Sequence, residues 1–296
     1  SIYNYFSAGR GVSSLVKSMV GFAPGRSMPT LYKTTLRSWY KKHKRQAPNK
    51  NTAHKKLYLF CDEFTNYNDT EIGIQAVLLL EKLGYEVIIP DHKESGRASL
   101  SKGLVRNAQK IINKNIDLLS SLVSPEIPLI GIEPSAILSF RDEYPDLASD
   151  DRLAAAKSLK QNAYLIDEFI AMEIEKGNIQ RSQFTQAEKK ILLHGHCHQK
   201  ALSSVDPTVR ILSFPENYSV QTIPSGCCGM AGSFGFEKEH FDLSMQVGEL
   251  VLFPAVRKHG DEMIIAAPGT SCRHQIKDGV GKKALHPVEI LYQALV

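Results

Sequence analysis

Short apolar runs alternate with longer amphipathic stretches along this chain, and the alternation occurs twice in the same order. Residues 57–60 read as a strand, 71–83 as a helix with Gly84 at its C-terminal cap, and 85–90 as a second strand stopped by Pro90. A long amphipathic helix over 100–122, a strand over 128–132 and a helical region over 150–176 follow. The pattern then restarts: strands over 191–194, 218–224 and 263–267, with helices over 237–259 and 287–295. Strands that alternate with helices pair in parallel, and the helices cover the sheet. The expected fold is therefore α/β with two pseudo-symmetric repeats, each a small parallel sheet flanked by helices in a Rossmann-like way. In such sheets the functional residues gather in the loops that leave the strands.

Those loops hold the cysteines. In the second repeat the loop after the first strand carries Cys197, the next carries Cys227-Cys228-Gly229, and the third carries Cys272. The matching loops of the first repeat carry Cys61, Glu94-Ser95-Gly96 and Glu133-Pro134-Ser135-Ala136. From Cys61 to Ser95 is 34 positions and from Cys197 to Cys228 is 31; from Ser95 to Ala136 is 41 and from Cys228 to Cys272 is 44. This reads as an internal duplication whose first copy has lost most of its thiols, and no cluster is expected there.

Five cysteines in 296 residues are too few for a secreted disulfide framework, and four of them fall between positions 197 and 272. Thiolates are the soft ligands that iron and zinc prefer. Adjacent cysteines close a disulfide only with strain, but each can reach a different iron. Gly226 and Gly229 let the backbone turn beside the pair and offer N–H donors to sulfur, and Arg273 and Lys200 can offset thiolate charge. The residues alone thus point to a thiolate metal or cluster site at Cys197, Cys227, Cys228 and Cys272. Among the nearby histidines, His198 and His274 are candidates to complete the coordination. His194 and His196 read more simply as strand-end residues held by backbone hydrogen bonds.

Residues 1–56 contain twelve Lys or Arg and no Asp or Glu, so the rest of the chain carries 24 basic against 31 acidic residues. A basic arm of this kind can meet nucleic acid, anionic lipid or an acidic protein face. Its plainer reading is a helical linker, with Leu15, Val16, Met19 and Val20 at helical spacing and a polar stretch from Gln46 to Asn51 at its end. The expected divisions are 1–55 for the basic arm, 56–180 for the degenerate repeat and 181–296 for the repeat with intact cysteines. No run approaches the roughly 18 apolar residues of a membrane span. The chain starts with Ser1 and shows no signal-peptide pattern, which suggests a piece of a longer protein working in the cytoplasm.

Several motifs carry a resemblance. Phe64-Thr-Asn-Tyr, Gly131-Ile-Glu-Pro-Ser135, Phe140-Arg-Asp-Glu-Tyr-Pro145, His194-Gly-His-Cys-His-Gln-Lys200 and Ser225-Gly-Cys-Cys-Gly-Met-Ala-Gly-Ser-Phe-Gly235 together cover residues 57–296 loosely. They resemble the cysteine-rich CCG domain family, found in heterodisulfide reductases and in the iron–sulfur components of glycolate oxidase and anaerobic glycerol-3-phosphate dehydrogenase. The wording is most similar to the C-terminal region of fused FAD-linked oxidase/iron–sulfur oxidoreductases.

The resemblance implies an electron-transfer domain of a flavin-dependent 2-hydroxyacid dehydrogenase of the glycolate, lactate or 2-hydroxyglutarate type. A 4Fe-4S cluster, noncubane in some members, or else zinc, would be held by Cys197, Cys227, Cys228 and Cys272. FAD would lie on an N-terminal portion or partner. The implied partners are that flavin domain, a ferredoxin-like domain, and a quinone or protein electron acceptor, with no nucleic acid. The arm allows peripheral contact with the cytoplasmic face of a membrane. Such a domain is not expected to turn over substrate alone. The family's downstream element is often Cys-x-x-Cys; here it is Cys272-Arg-His274-Gln275, one thiol short. Two other readings stay open: a zinc-bound or metal-free docking domain, and a thiol/disulfide reductase acting through Cys227 and Cys228.

Overall fold

Strand β1 (Lys55–Phe60) owes its central place to Leu57, Leu59 and Phe60, which are fully buried on both of its faces. Burying a side chain of this size contributes about 1.5–3 kcal/mol, and only a strand covered on both sides can bury all three. The computed structural model describes residues 4, 17–46, 55–259 and 262–296. In it β1 pairs in parallel with β2 (Tyr85–Ile88) and β3 (Leu129–Gly131), and β3 pairs in parallel with β4 (Ala163–Leu165), giving the order β2-β1-β3-β4. The second sheet repeats this with β5 (Lys189–Leu193) in the middle, β6 (Tyr218–Thr222) on one side and β7 (Ile264–Ala266) on the other. A single parallel bridge from Ala266 to Leu285 stands where the first sheet has β4. The chain is α/β, with two like repeats.

The repeats pack on each other reciprocally. Helix Thr70–Lys82, from the first half, lies against helix Pro287–Ala294, the last of the second. Helix Ile166–Glu175, the last of the first half, lies against Asp206–Leu212 of the second. One apolar core runs through both pairs, from Leu57, Val87 and Ile130 to Ile191, Leu193 and Leu291.

Three departures from the periodicity have local causes. The expected helix over 100–122 is two helices, Arg97–Ser101 and Val105–Leu119, separated at Gly103, whose φ is +69°. The region 150–176 contains β4 between two helices, because Ala163 and Leu165 complete the sheet beside β3. The helix over 237–259 begins at Phe241 and breaks at Val251 into Phe241–Leu250 and Leu252–Lys258. Within the arm expected to be a helical linker, the helix Leu36–Gln46 packs on the first sheet; it buries Leu36, and Tyr40 donates to the Val87 carbonyl at 2.9 Å.

The basic segment lies across both halves. Arg26 is buried, donating to the Gly235 carbonyl at 2.5 Å and to Ser244 Oγ at 2.6 Å, with Asp278 at 3.5 Å. Burial lowers its pKa, opposed by Asp278. Leu15 and Val16, and the polar stretch from Ala47 to Asn51, lie outside the described residues. Among the described residues no helix is long and apolar enough to cross a membrane.

Candidate metal centre

Each thiol sits where the fold gives it a fixed place. Cys197 opens the short helix Cys197–Leu202, just beyond β5, with His196 as its N-cap. The loop after β6 turns at Gly229, whose φ is +95°; a Cβ there would come within 2.3 Å of the Ser244 carbonyl, so only glycine lets the Cys227–Cys228 pair approach this closely. Cys272 lies in the first turn of helix Thr270–Val280, after β7. These are the C-terminal ends of neighbouring parallel strands, and the four sulfurs meet there in a row.

Each sulfur in the row shifts its neighbour's ionisation. The Cys197 S–H donates to Cys227, which raises the Cys197 pKa, aided by burial. Donation from Cys197, and then from Cys228, holds the Cys227 thiol far below its usual range. Contact with Cys227 and then with Cys272 raises the Cys228 pKa, and contact with Cys228 lowers that of Cys272 against its burial. The Gly229 N–H donates to Cys227 Sγ at 3.3 Å. Cys228 and Cys272 are buried, whereas Cys197 and Cys227 are exposed. Four neighbouring sulfurs with a backbone donor in place fit a metal or iron–sulfur group chemically.

His194 joins the buried end. It is fully buried, and one of its ring nitrogens and the sulfurs of Cys228 and Cys272 lie within 4.8 Å of one another. Its Nδ1 is 2.7 Å from Ser225 Oγ, and Nε2 is buried with no hydrogen-bond partner. His198 and His274, the residues favoured from sequence, line the cavity between the halves together with Cys197, Cys227 and Cys228. His198 faces Glu143 at 3.9 Å, and burial, ahead of the charge on Arg97, lowers its pKa to about 4. His274 has Nδ1 3.4 Å from Ser27 Oγ, and burial lowers its pKa.

Lys200 donates to the carbonyls of Ser225 and Gly226, the latter at 3.1 Å, and so clamps the loop entering the cysteine pair. Burial lowers its pKa, opposed by the thiolates, Cys272 foremost. Arg273 binds Asp69 at 2.5 Å and the Pro268 carbonyl at 2.7 Å, pinning the two halves together. Gly226 has open space around it and no positive φ. Sequence reasoning passed over His194 and Ser225; the usable signal was that His194, like Cys61, is the first residue after a central strand.

A cavity of about 730 Å³ opens between the halves beside the exposed thiols. Phe22, Met28, Phe64 and Phe236 form apolar walls. Its cationic side chains are already paired, Arg97 with Glu143 and Lys102 with Glu237.

In the first half the matching edge holds other side chains, beside a cavity of about 560 Å³ lined by Cys61, Glu63 and His92. Ser95 donates to Glu63 from N at 2.8 Å and from Oγ at 2.7 Å, and Ala136 stands opposite Cys272 in the repeat. Cys61 is buried and donates to Asn66 Oδ1 at 3.5 Å; burial raises its pKa to about 12.

No family model matches the chain. It is similar to D-2-hydroxyglutarate dehydrogenase of Pantoea ananatis, 24% identical over 99% of this chain and 28% of that protein. The Haemophilus influenzae enzyme of the same name is 28% identical over 99% of this chain and 29% of its own length. The chain therefore spans less than a third of these dehydrogenases. One component of the anaerobic glycerol-3-phosphate dehydrogenase of Escherichia coli is 25% identical over 99% of this chain and 72% of its own. Lactate utilization protein A of Bacillus subtilis is 28% identical over 80% of this chain and 98% of its own. The relatives are thus dehydrogenases of hydroxy compounds, a component of one, and a protein of lactate use.

Proposed function

We propose that this chain is an electron-transfer unit of a flavin-dependent 2-hydroxyacid dehydrogenase, with an iron–sulfur group held by Cys197, Cys227, Cys228 and Cys272. The observation that carries the reading is the meeting of four sulfurs and a buried imidazole at one sheet edge. The names of the relatives supply the substrate class. When bound, the group supplies one-electron redox capacity. The chain's own residues do the rest. The thiolates hold the group, and the Gly229 N–H donates to sulfur. Lys200 fixes the loop, and the apolar walls of the cavity flank the exposed side. A flavin domain delivers electrons, and the cavity beside Cys197 and Cys227 is where an acceptor, a quinone or a protein, approaches.

Anaerobic reconstitution with iron and sulfide, followed by metal and sulfide analysis and electron paramagnetic resonance, tests this. Stoichiometric iron with a reducible signal supports it; protein that takes up no iron sinks it. A second reading has its own observation. The compact group of His194, Cys228 and Cys272 is close to the size of a tetrahedral zinc site, which with Cys227 would have four ligands. Zinc retained in preference to iron during reconstitution would favour that docking role.

A further inference from the structure

Cys272 is followed by Arg273, His274 and Gln275, with no second thiol, so any donor beyond the four sulfurs must come from another side chain. Tautomers sort the candidates. His196 Nδ1 accepts the His198 backbone N–H at 3.2 Å, so its proton sits on Nε2, and no ring nitrogen is left with a free lone pair. His286 is fixed in the same way by the Val288 N–H at 3.1 Å. His198 and His274 turn toward Glu143 and Ser27. Gln275 uses its amide nitrogen on the Ser244 carbonyl at 2.8 Å, and its carbonyl oxygen is a hard donor among soft ones.

His194 differs from all of these. Ser225 Oγ can accept from Nδ1–H, which places the free lone pair on Nε2. That nitrogen is buried without a hydrogen-bond partner. The pseudo-symmetry gives an independent sign. Phe60 and Leu193 are the last residues paired to β3 and β7. Cys61 and His194 are therefore the same position in the two repeats, so Cys61 is not the counterpart of Cys197 that loop order suggests, and in the first repeat the His194 position carries a thiol.

We propose that His194 Nε2 is the fifth donor of the site, with Ser225 as the positioning residue that sets its tautomer. This rests on the metal-centre reading above and deepens it. His194 gives the group an asymmetric donor set, with a neutral nitrogen at the buried end and thiolates toward the cavity.

The test is pulsed electron–nuclear spectroscopy on full chain reconstituted anaerobically with iron and sulfide, prepared with ¹⁴N- and ¹⁵N-histidine. The expected result is a strongly coupled histidine nitrogen that changes with the isotope. It disappears in His194→Cys, which keeps its iron, and it persists in His198→Ala and His274→Ala. His194→Ala should lose iron affinity by about 100-fold or more, and Ser225→Ala by roughly 10–100-fold, the usual loss for an outer partner of a ligand. An iron-loaded wild type with no coupled histidine nitrogen overturns the assignment and leaves the metal centre standing. So does a His194→Gln variant with unchanged iron and spectrum, because an amide N–H can replace a hydrogen bond to sulfur but not a bond to iron. A wild type that binds no iron overturns the parent reading itself, and the assignment with it.

Discussion

The two halves share strand order, crossover helices and loop positions, yet they end in different chemistry. At the edge where the second half gathers Cys197, Cys227, Cys228 and Cys272, the first half closes Glu63 onto Ser95 and leaves Ala136 with nothing to offer. Cys61 survives alone, buried and hydrogen-bonded to Asn66. The sheet edge is therefore a general platform. What makes it a candidate metal centre is a small set of side chains, and in the first half a carboxylate–hydroxyl pair takes their place.

The comparison is sharpest for metal content. Replacing Cys272 or Cys228 with serine should abolish iron binding after anaerobic reconstitution, while Cys61→Ser should leave it unchanged. Equal loss from all three would place Cys61 in a working site.

Thiol reactivity separates the halves next. In metal-free protein near pH 7, Cys227, an exposed thiolate, should be the first residue modified by iodoacetamide. Cys61, with its pKa raised to about 12 by burial, is thiolate in only about one molecule in 100,000 at pH 7 and should resist until the protein unfolds. Peptide mapping by mass spectrometry reads the order; rapid labelling of Cys61 in folded protein would contradict the buried assignment.

The turn glycines give a third contrast. Gly229 and Gly96 hold the same place, with φ of +95° and +85°. A Cβ on Gly229 meets the Ser244 carbonyl at 2.3 Å, whereas one on Gly96 meets nothing closer than 3.7 Å. Gly96→Ala should cost about 1–2 kcal/mol from backbone conformation. Gly229→Ala adds roughly 1–3 kcal/mol of overpacking and displaces the cysteine pair. Denaturant unfolding measures both; equal costs would mean that the loop after β6 relaxes freely.

The smallest effect is in pH dependence. Asp62, at the start of the first-half helix Glu63–Tyr67, is buried, which raises its pKa to about 8 despite hydrogen bonds from Thr65 at 2.9 and 2.6 Å. Between about pH 4 and 8 the folded state then binds the proton that the unfolded state has released. That contribution to stability is full below pH 4 and falls as pH rises to 8. Asp62→Asn, which keeps an N-cap oxygen, should flatten the fall in this window. His196 occupies the N-cap place in the second half, so no second carboxylate mimics the effect there.

Much of this arrangement was legible in the sequence. Six of the seven strands announce themselves as apolar runs, and loop order alone brings the four thiols to one edge. β4 was hidden because Ala163-Tyr-Leu165 is short and sits inside helical periodicity, with neither glycine nor proline to mark it. The breaks at Gly103 and Val251 were hidden because the apolar spacing continues across them. His194 was illegible for a deeper reason: its role follows from which ring nitrogen Ser225 engages, and that contact spans 31 positions. The anchoring of Arg26 depends on a carbonyl 209 positions away, which no local pattern encodes.

The reciprocal packing of Thr70–Lys82 with Pro287–Ala294, and of Ile166–Glu175 with Asp206–Leu212, has a consequence for how such a molecule can change over time. The loop residues at the sheet edge differ between the halves, but the apolar helix faces that pack the halves together are common to both. The degenerate half persists as a mould against which the other is cast, and cutting it away would strip the working site of the wall that shapes it.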